Sequence, residues 1–165
     1  MDRFIRIIVV TITLLTCVGC DQATKAVAKG YLPRNEVLSF AHDTFRLQYA
    51  ENKGAFLSIG DSLPEKARGL LFTIGLGAIV LGILGYLLFV PALPHATTVA
   101  LSLIAGGGFS NLIDRMAYGG YVIDFLNIGL GGLRTGIFNI ADVAIMVGVF
   151  SLILRSLKHE RRVGS

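Results

Sequence analysis

Charged side chains are scarce in this chain of 165 residues: only 16% of its residues are Asp, Glu, Lys or Arg, whereas 53% are hydrophobic. A soluble domain usually carries about a quarter charged residues. The deficit argues against a soluble protein and indicates a chain that meets lipid over much of its surface. At this length we expect one compact domain, covering residues 1–165.

The chain is also poor in residues that form redox or metal centres. Its two cysteines, Cys17 and Cys20, have C-x-x-C spacing, but no βαβ pattern surrounds them. We therefore interpret them as small apolar residues of a membrane helix. The histidines His42, His95 and His159 are scattered, and none belongs to an H-E-x-x-H motif. The sequence therefore predicts neither a metal site nor a cofactor.

The net charge of +4 does not come from a run of basic and aromatic residues, so the sequence does not favour nucleic acid as a partner. No glycine-rich, phosphate-cradling motif follows a strand either. Four basic residues near the C-terminus are better interpreted as an anchor against anionic lipid headgroups: Arg155, Lys158, Arg161 and Arg162.

Four apolar stretches are long enough, or nearly so, to cross roughly 30 Å of hydrocarbon as helices. They cover about residues 4–28, 69–90, 97–113 and 137–154. Between them the pattern predicts outer loops at about residues 29–68 and 114–136, and a tight connection at Pro91 and Pro94. The fold class that follows is mainly α, a bundle of four transmembrane helices.

Basic residues at both ends predict the orientation of the bundle. Arg3 and Arg6 precede the first span, and the basic cluster follows the last. Four spans bring both termini to one side, which the positive-inside rule makes cytoplasmic. The first outer loop carries six basic residues, but five acids nearly balance them. We therefore place that loop outside.

Span parity gathers four carboxylates at the outer end of the bundle. Asp21 lies where the first span emerges, Asp114 where the third emerges, and Asp142 near the start of the fourth. Asp124 lies in the outer loop between the last two. Ionisable groups at membrane depth are costly and usually face a bundle interior with partners. This clustering predicts a functional site.

The first outer loop contains a short strand-like pattern. Phe45, Leu47 and Tyr49 alternate with polar residues, which predicts a half-buried strand. A turn-like stretch follows at residues 52–56. This small extracytoplasmic β element is either a lid over the carboxylates or an ordinary loop.

Glycines recur in the spans. Those of the second span, Gly75, Gly77, Gly82 and Gly85, predict close packing against other helices. The run at residues 106–108 either packs in the same way or makes room for a substrate backbone.

Carboxylates can hydrolyse a peptide when two of them lie close enough to share a proton. Asp21 and Lys25 are four residues apart on a continuing helix, which favours an ion pair. Asp114 shares a helical face with Asn111 and Arg115, so it has a basic neighbour and suits a positioning role.

The other two acids have apolar neighbours. Asp124 lies between Ile123 and Phe125, and Asp142 lies between Ala141 and Val143. Apolar surroundings raise a carboxyl pKa, as a general acid requires. Asp124 and Asp142 are therefore the better catalytic pair.

Five sequence blocks follow one another along the chain: Asp21-Gln22-Ala23-Thr24-Lys25; Asn52-Lys53-Gly54-Ala55-Phe56; Gly107-Gly108-Phe109-Ser110-Asn111-Leu112-Ile113-Asp114-Arg115; Val122-Ile123-Asp124-Phe125; and Phe138-Asn139-Ile140-Ala141-Asp142. With these blocks the chain resembles the lipoprotein signal peptidase (signal peptidase II) family over essentially its full length. This chain has Ser110 where the family usually has glycine, and Lys53 where threonine is common.

The resemblance implies an aspartic endopeptidase with Asp124 and Asp142 as its dyad. It implies that six further residues line or support the substrate site: Asn52, Gly54, Asn111, Asp114, Arg115 and Asn139. Asp21 and Lys25 take structural or supporting places. The implied substrate is a diacylglyceryl-modified prolipoprotein, cleaved on the N-terminal side of its lipidated cysteine. The implied location is the bacterial cytoplasmic (inner) membrane, where the enzyme contacts membrane lipid, acts as a monomer and has its active site at the outer face.

Three rival interpretations use parts of the same sequence. Val18-Gly19-Cys20 resembles a lipobox, which would make residues 1–20 a lipoprotein signal peptide. Gly108-Phe109-Ser110-Asn111 begins like a membrane serine peptidase motif, but no histidine within a span is available as its base. A small transporter or assembly factor would also bury carboxylates, although it would spread them through the membrane depth.

Overall fold

The computed structural model describes residues 2–54 and 64–163, with the side chains of 65, 66, 68 and 159–163 left aside. Its four long helices are α1 (Arg3–Tyr31), α2 (Glu65–Phe89), α3 (His95–Ala117) and α4 (Ile140–Val163). Four strands form one antiparallel sheet in the order β1 (Leu38–Phe40), β2 (Phe45–Asn52), β3 (Val122–Leu130) and β4 (Leu133–Arg134). The predicted fold class is confirmed.

Each of the four helices contains a stretch long and apolar enough to cross a membrane. Many large apolar side chains face outwards, while several charged side chains lie inside the bundle among apolar ones. Leu15 and Leu81 are exposed, whereas Asp21, Lys25 and Asp114 are buried. Lipid is as apolar as leucine, so burying leucine gains little there, while ionisable side chains gain partners in the interior. The chain is a multi-pass membrane protein.

Helix α3 lies at the centre of the bundle and packs against the other three helices. Three consecutive glycines, residues 106–108, make this possible. Successive residues of a helix point about 100° apart, so the run faces three directions. A Cβ added at these positions would overlap Cys17 of α1, Ala141 of α4 and Val80 of α2, respectively. Of the two predictions for this run, close helix packing is the correct one.

The packing prediction for the glycines of α2 was wrong. A Cβ added at Gly75, Gly82 or Gly85 would meet nothing within 4 Å, and one at Gly77 would meet only Leu112, at 3.8 Å. Gly75, Gly82 and Gly85 leave open space beside α2, while Gly77 faces α3 at an ordinary contact distance. A repeat of small residues predicts an interface only where a second helix is present to fill it.

At the end of the bundle away from the sheet, Arg6 caps helix α2. Its guanidinium is buried and donates hydrogen bonds to the carbonyl oxygens of Leu88, Val90 and Pro91. The last carbonyls of a helix have no partner within the helix, so the arginine satisfies groups that lipid could not. Arg6, whose charge helped to predict the orientation of the bundle from the sequence, therefore also joins α1 to α2.

The sheet lies at the opposite end, where α1 and α3 end and α2 and α4 begin. The predicted strand at Phe45–Tyr49 is confirmed as part of β2, which extends to Asn52. Strand β2 pairs with β3 so that Ala50 lies opposite Asp124. Ala55 and Phe56, the end of the predicted turn, lie outside the described residues.

Several helix boundaries differ from the predicted spans, and two of the differences bear on the site. Helix α3 continues to Ala117, four residues beyond the predicted end, because polar side chains in its last turns find buried partners. Helix α4 begins at Ile140 rather than residue 137. Phe138 pairs with Leu126 of β3 through backbone hydrogen bonds, which holds the chain extended up to the start of the helix.

Candidate active site

The structure brings Asp124 and Asp142 to one cavity of about 960 Å³. Asp124 lies on strand β3, within the stretch predicted as the second outer loop, and Asp142 lies in the first turn of α4. The backbone pairing of Phe138 with β3 joins these two elements next to the site. The sheet is therefore more than a lid over the carboxylates, because it supplies one of them.

Asp124 is almost fully buried, with 1% of its surface exposed, and accepts two hydrogen bonds from amide side chains. Asn52 Nδ2 donates to its Oδ2 at 2.9 Å, and Asn139 Nδ2 donates to its Oδ1 at 2.7 Å. The N–H of Gly54 donates to Asn52 Oδ1, which turns the amide nitrogen of Asn52 towards the carboxylate. Gly54 thus supports the site through its backbone.

Asp142 is held by the end of its own helix. Its N–H donates to Asn139 Oδ1 at 2.9 Å, and the N–H of Asn139 donates back to Asp142 Oδ2 at 3.2 Å. This is a capping box, in which the residue before a helix and the third residue of the helix satisfy each other's N–H groups. Asn111 Nδ2 donates to the remaining oxygen, Oδ1, at 3.0 Å.

Burial, the largest cause, and the neighbouring carboxylate of Asp142 together raise the pKa of Asp124 to about 7, whereas Asn52, Asn139 and Lys25 oppose the shift. A pKa near neutrality means that a proton can leave or join this carboxyl at working pH. Two interacting carboxyls titrate as a unit. Asp124 is therefore suited to exchange a proton in acid–base hydrolysis.

Asp21 and Lys25 form the predicted ion pair, with 2.6 Å between Oδ2 and Nζ. Asp114 has Arg115 as its basic neighbour along the helix, but its ion pair is with Lys25 of α1, at 2.9 Å. Arg115 instead donates to the carbonyl oxygens of Gly54 and Gly120, both at 2.7 Å. Two charged residues that lie close together on one helix need not form an ion pair when a residue of another helix lies closer.

Ser110, the departure from the usual glycine, is buried and part of this network. Its hydroxyl donates to Asp21 Oδ2 at 2.7 Å and accepts from Gln22 Nε2 at 3.1 Å. The serine peptidase interpretation requires this hydroxyl to be available as a nucleophile beside a base. Here it is bound to a carboxylate, and His95 begins α3 at the other end of the bundle.

The wall of the cavity below the carboxylates is apolar. Helix α2 contributes Leu71 and Ile79, and α4 contributes Met146 and Phe150. All four side chains are also exposed on the bundle surface. The cavity thus leads from the polar end of the bundle to a side that faces lipid, between α2 and α4.

Sequence reasoning missed three residues of the site. Gln22 donates to Asp114 Oδ1 at 2.8 Å, and its place beside Asp21 in the first block was a usable signal. Arg134 lines the cavity and is held by Asn127 at 2.6 Å, for which the sequence carries no local signal. Phe72 lines the cavity opposite Arg115.

The capping box of Asn139 and Asp142 was also not predicted from the sequence, although N-x-x-D before an apolar run is typical of one.

Among residues 2–54 and 64–163, no cluster of three or more His, Cys, Asp or Glu side chains could hold a metal ion. Cys17 is buried in the bundle and Cys20 is exposed, and both are free thiols. Helix α1 runs through both cysteines without interruption.

Four apolar helices around a cavity with a buried carboxylate pair define a multi-pass membrane enzyme. Comparison with known proteins identifies the family of this enzyme. The model of the family described as signal peptidase (SPase) II matches residues 12–158, so the chain belongs to that family. The chain is 32% identical to the lipoprotein signal peptidase of Streptococcus pneumoniae over 152 residues, covering 92% of this chain and 94% of the relative.

Two further matches agree with this assignment. The lipoprotein signal peptidase of Janthinobacterium sp. (strain Marseille) is 42% identical over 147 residues, covering 87% of this chain and 83% of the relative. A bacterial membrane enzyme solved by the in meso method at 1.9 Å resolution superposes with a TM-score of 0.79 at 26% identity, covering 90% of this chain and 92% of the solved one. These matches set aside the transporter interpretation.

Proposed function

We propose that this chain is an aspartic endopeptidase that removes the signal peptide from diacylglyceryl-modified prolipoproteins, cleaving N-terminal to the lipidated cysteine. Membership of the signal peptidase II family supports the substrate class. The aspartic mechanism rests on one observation, the buried pair Asp124 and Asp142 facing a common cavity. The pKa of Asp124, raised to about 7, adds the proton-transfer capacity that such a pair needs.

In the proposed reaction, a water molecule lies between the two carboxyl groups and the scissile peptide. The ionised carboxylate takes a proton from the water while the water oxygen attacks the carbonyl carbon. The protonated carboxyl gives its proton to the carbonyl oxygen, which forms a tetrahedral intermediate. When the C–N bond breaks, the first carboxyl passes its new proton to the leaving nitrogen and the diol oxygen returns its proton to the other. The pair then holds one proton again.

Fixed donors around the dyad support this chemistry. Asn52 and Asn139 hold Asp124, and Asn111 holds Asp142. Arg115 lines the same cavity and is itself held by two backbone carbonyls, so its charge is fixed in place. We assign it to the substrate backbone. Groups already oriented before the substrate arrives lose little freedom in the transition state.

The apolar wall between α2 and α4 suits a substrate that is itself in the membrane. The signal peptide and the acyl chains would remain in hydrocarbon while the scissile bond reaches the dyad at the polar end. Entry is lateral, past exposed side chains such as Leu71 and Met146. A water-soluble peptide without acyl chains would lack this contact and bind weakly.

We also propose that the enzyme acts as a monomer in the bacterial inner membrane, with both termini cytoplasmic and the sheet outside. Basic residues at both chain ends support this orientation under the positive-inside rule. The polar end, with the sheet and the carboxylates, then faces the compartment in which lipoproteins mature.

The test is cleavage of a synthetic diacylglyceryl-modified lipobox peptide by purified enzyme in detergent. Asp124→Asn and Asp142→Asn should each lower kcat by at least about 100-fold, since each removes an acid–base group. Asp2→Asn, an acid at the far end of the bundle, is the matched control. Each variant must elute as the wild type does in size-exclusion chromatography. Full activity in either dyad variant would remove that residue from the mechanism.

A further inference from the structure

Three charged side chains lie buried beside the dyad. Asp21 and Asp114 are fully buried and Lys25 is 2% exposed. Lys25 Nζ donates to Asp21 Oδ2 at 2.6 Å, to Asp114 Oδ2 at 2.9 Å and to Asn111 Oδ1 at 2.9 Å. An ammonium group has three protons, so every donor of Lys25 is used inside the protein.

The two carboxylates each bind the backbone immediately before one member of the dyad. Asp21 Oδ1 accepts from the N–H of Ala141, at 2.8 Å, and Asp142 is the next residue. Asp114 Oδ2 accepts from the N–H of Ile123, at 3.0 Å, and Asp124 is the next residue. One lysine therefore joins the two anchors that hold the backbone of the two aspartates.

The third bond of Lys25 reaches the dyad by another route. Lysine can only donate, so Asn111 must present its oxygen to Nζ. Its amide nitrogen then faces Asp142, to which it donates at 3.0 Å. The same oxygen accepts from Asn139 Nδ2 at 3.1 Å, and that nitrogen also donates to Asp124. The ammonium group thus fixes the orientation of the Asn111 amide, which in turn contacts the amide of Asn139.

We infer that Lys25 is a positioning residue that sets the two dyad aspartates relative to each other, with Asp21 and Asp114 as its two arms. This inference rests on the proposed dyad. Lys25 is absent from the cavity lining, so it would not contact a substrate bound there. It acts on the dyad through Ala141, Ile123 and Asn111 and through its charge.

The bonding pattern of Lys25, Asp21 and Asp114 indicates a role beyond stabilising the fold. A buried ion cluster is often no more stable than apolar residues of the same volume, because its desolvation cost is high. Here two carboxylates from different helices, α1 and α3, converge on one cation, and their other bonds end beside the dyad on β3 and α4. Ser110 and Gln22 satisfy further lone pairs of these carboxylates.

Lys25→Met tests this inference, because methionine keeps the length and removes the charge. Lys29→Met, one turn further along the same helix, is the matched control, since Lys29 contacts only the Tyr118 ring among described residues. With the diacylglyceryl-modified lipobox peptide, we expect Lys25→Met to lower kcat by roughly 100-fold, the scale of a 1 Å misplacement. KM should stay within about threefold, because the cavity lining is unchanged.

The pH profile separates positioning from mere stability. The charged groups around the dyad and its cavity are Asp21 and Lys25 from α1, Asp114 and Arg115 from α3, and Arg134 from β4. Removing the cation among them disfavours ionised carboxylates, so the pH–rate profile of Lys25→Met should move to higher pH. Lys29→Met should keep the wild-type profile.

A double variant addresses folding. Lys25→Met alone leaves two buried carboxylates without their cation, and this should lower the melting temperature. Asp21→Asn with Lys25→Met returns the cluster to the one net negative charge of the wild type. We expect it to recover melting temperature without recovering kcat. Recovery of both, or an unchanged kcat and pH profile in Lys25→Met, would overturn the inference. If Asp124→Asn or Asp142→Asn stays active, the proposed dyad fails instead.

Discussion

Replacing Gly107 with alanine places a methyl group against the backbone of a neighbouring helix. The added Cβ would overlap the carbonyl oxygen of Ala141 and lie 2.8 Å from Ile145 Cγ1. A side chain could rotate away, but the carbonyl belongs to the first turn of α4, so the helix itself must shift. Asp142 follows Ala141 directly and would move with it.

The magnitude follows from two opposing effects. Overpacking of this kind costs about 1–3 kcal/mol, while alanine is favoured over glycine within a helix by about 0.5–1 kcal/mol. Gly85→Ala in α2 shows the second effect alone, because a Cβ there meets nothing within 4 Å. The difference between the two variants therefore isolates the first effect. Gly107→Ala should therefore be destabilised, and Gly85→Ala slightly stabilised. Their free energies of unfolding should differ by about 1–3 kcal/mol, the overpacking cost alone.

The assay is thermal unfolding of both variants in the same detergent, followed by peptide cleavage. For a chain of this size each kcal/mol shifts the melting temperature by roughly 2–4 °C, so the two variants should differ by several degrees. We expect Gly107→Ala to lose at least about tenfold in kcat through the shift of Asp142. Equal melting temperatures with normal kcat in both would refute the close approach of α3 and α4 at this residue.

Three further predictions concern the dyad and the far end of the bundle. Asn139→Ala should lower the stability by about 1 kcal/mol through loss of the helix cap and lower kcat as well. Asn139→Ser should restore the melting temperature but not kcat, and a normal kcat in Asn139→Ala would contradict the role of its amide. Arg6→Met leaves the last carbonyls of α2 unsatisfied, which should lower the free energy of unfolding by about 1–3 kcal/mol. Thermal unfolding should show this loss, while kcat/KM should stay unchanged. A changed kcat/KM would argue against a purely structural role for Arg6. Because the pKa of Asp124 is raised to about 7 from its usual value of about 3.9, the folded state binds more protons than the unfolded state between those values. The free energy of unfolding should therefore fall as pH rises through that window, and urea titrations should show that Asp124→Asn lacks this part of the slope.

Several features of this protein could be predicted from the sequence alone because they depend on one segment at a time. An apolar run of about 20 residues must be a helix in lipid. The parity of four such runs then brings Asp21, Asp114 and Asp142 to the same end. The ion pair of Asp21 and Lys25 depends only on the rise of one helix. The alternation at residues 45–49 similarly belongs to one strand.

The tertiary structure decided everything that depends on which segments meet. The glycines of α2 and those of α3 look alike in sequence, yet an added Cβ would overlap another helix in the run at 106–108 and at none of the four glycines of α2 named above. Asp114 has Arg115 beside it on its helix, but bonds to Lys25, which is far away in the chain. Local spacing reports the neighbours that a helix supplies, and it cannot report the distance to another helix.

The same reason explains the site. Sequence blocks indicated that Asp124 and Asp142 belong together, but their approach requires β3 to pair with Phe138 just before α4. It also requires Lys25 to join the anchors at Ile123 and Ala141. Bonds between segments this distant form only when the whole bundle has packed. The residue types of the site were therefore readable in the sequence, and the geometry that relates them was set by the fold.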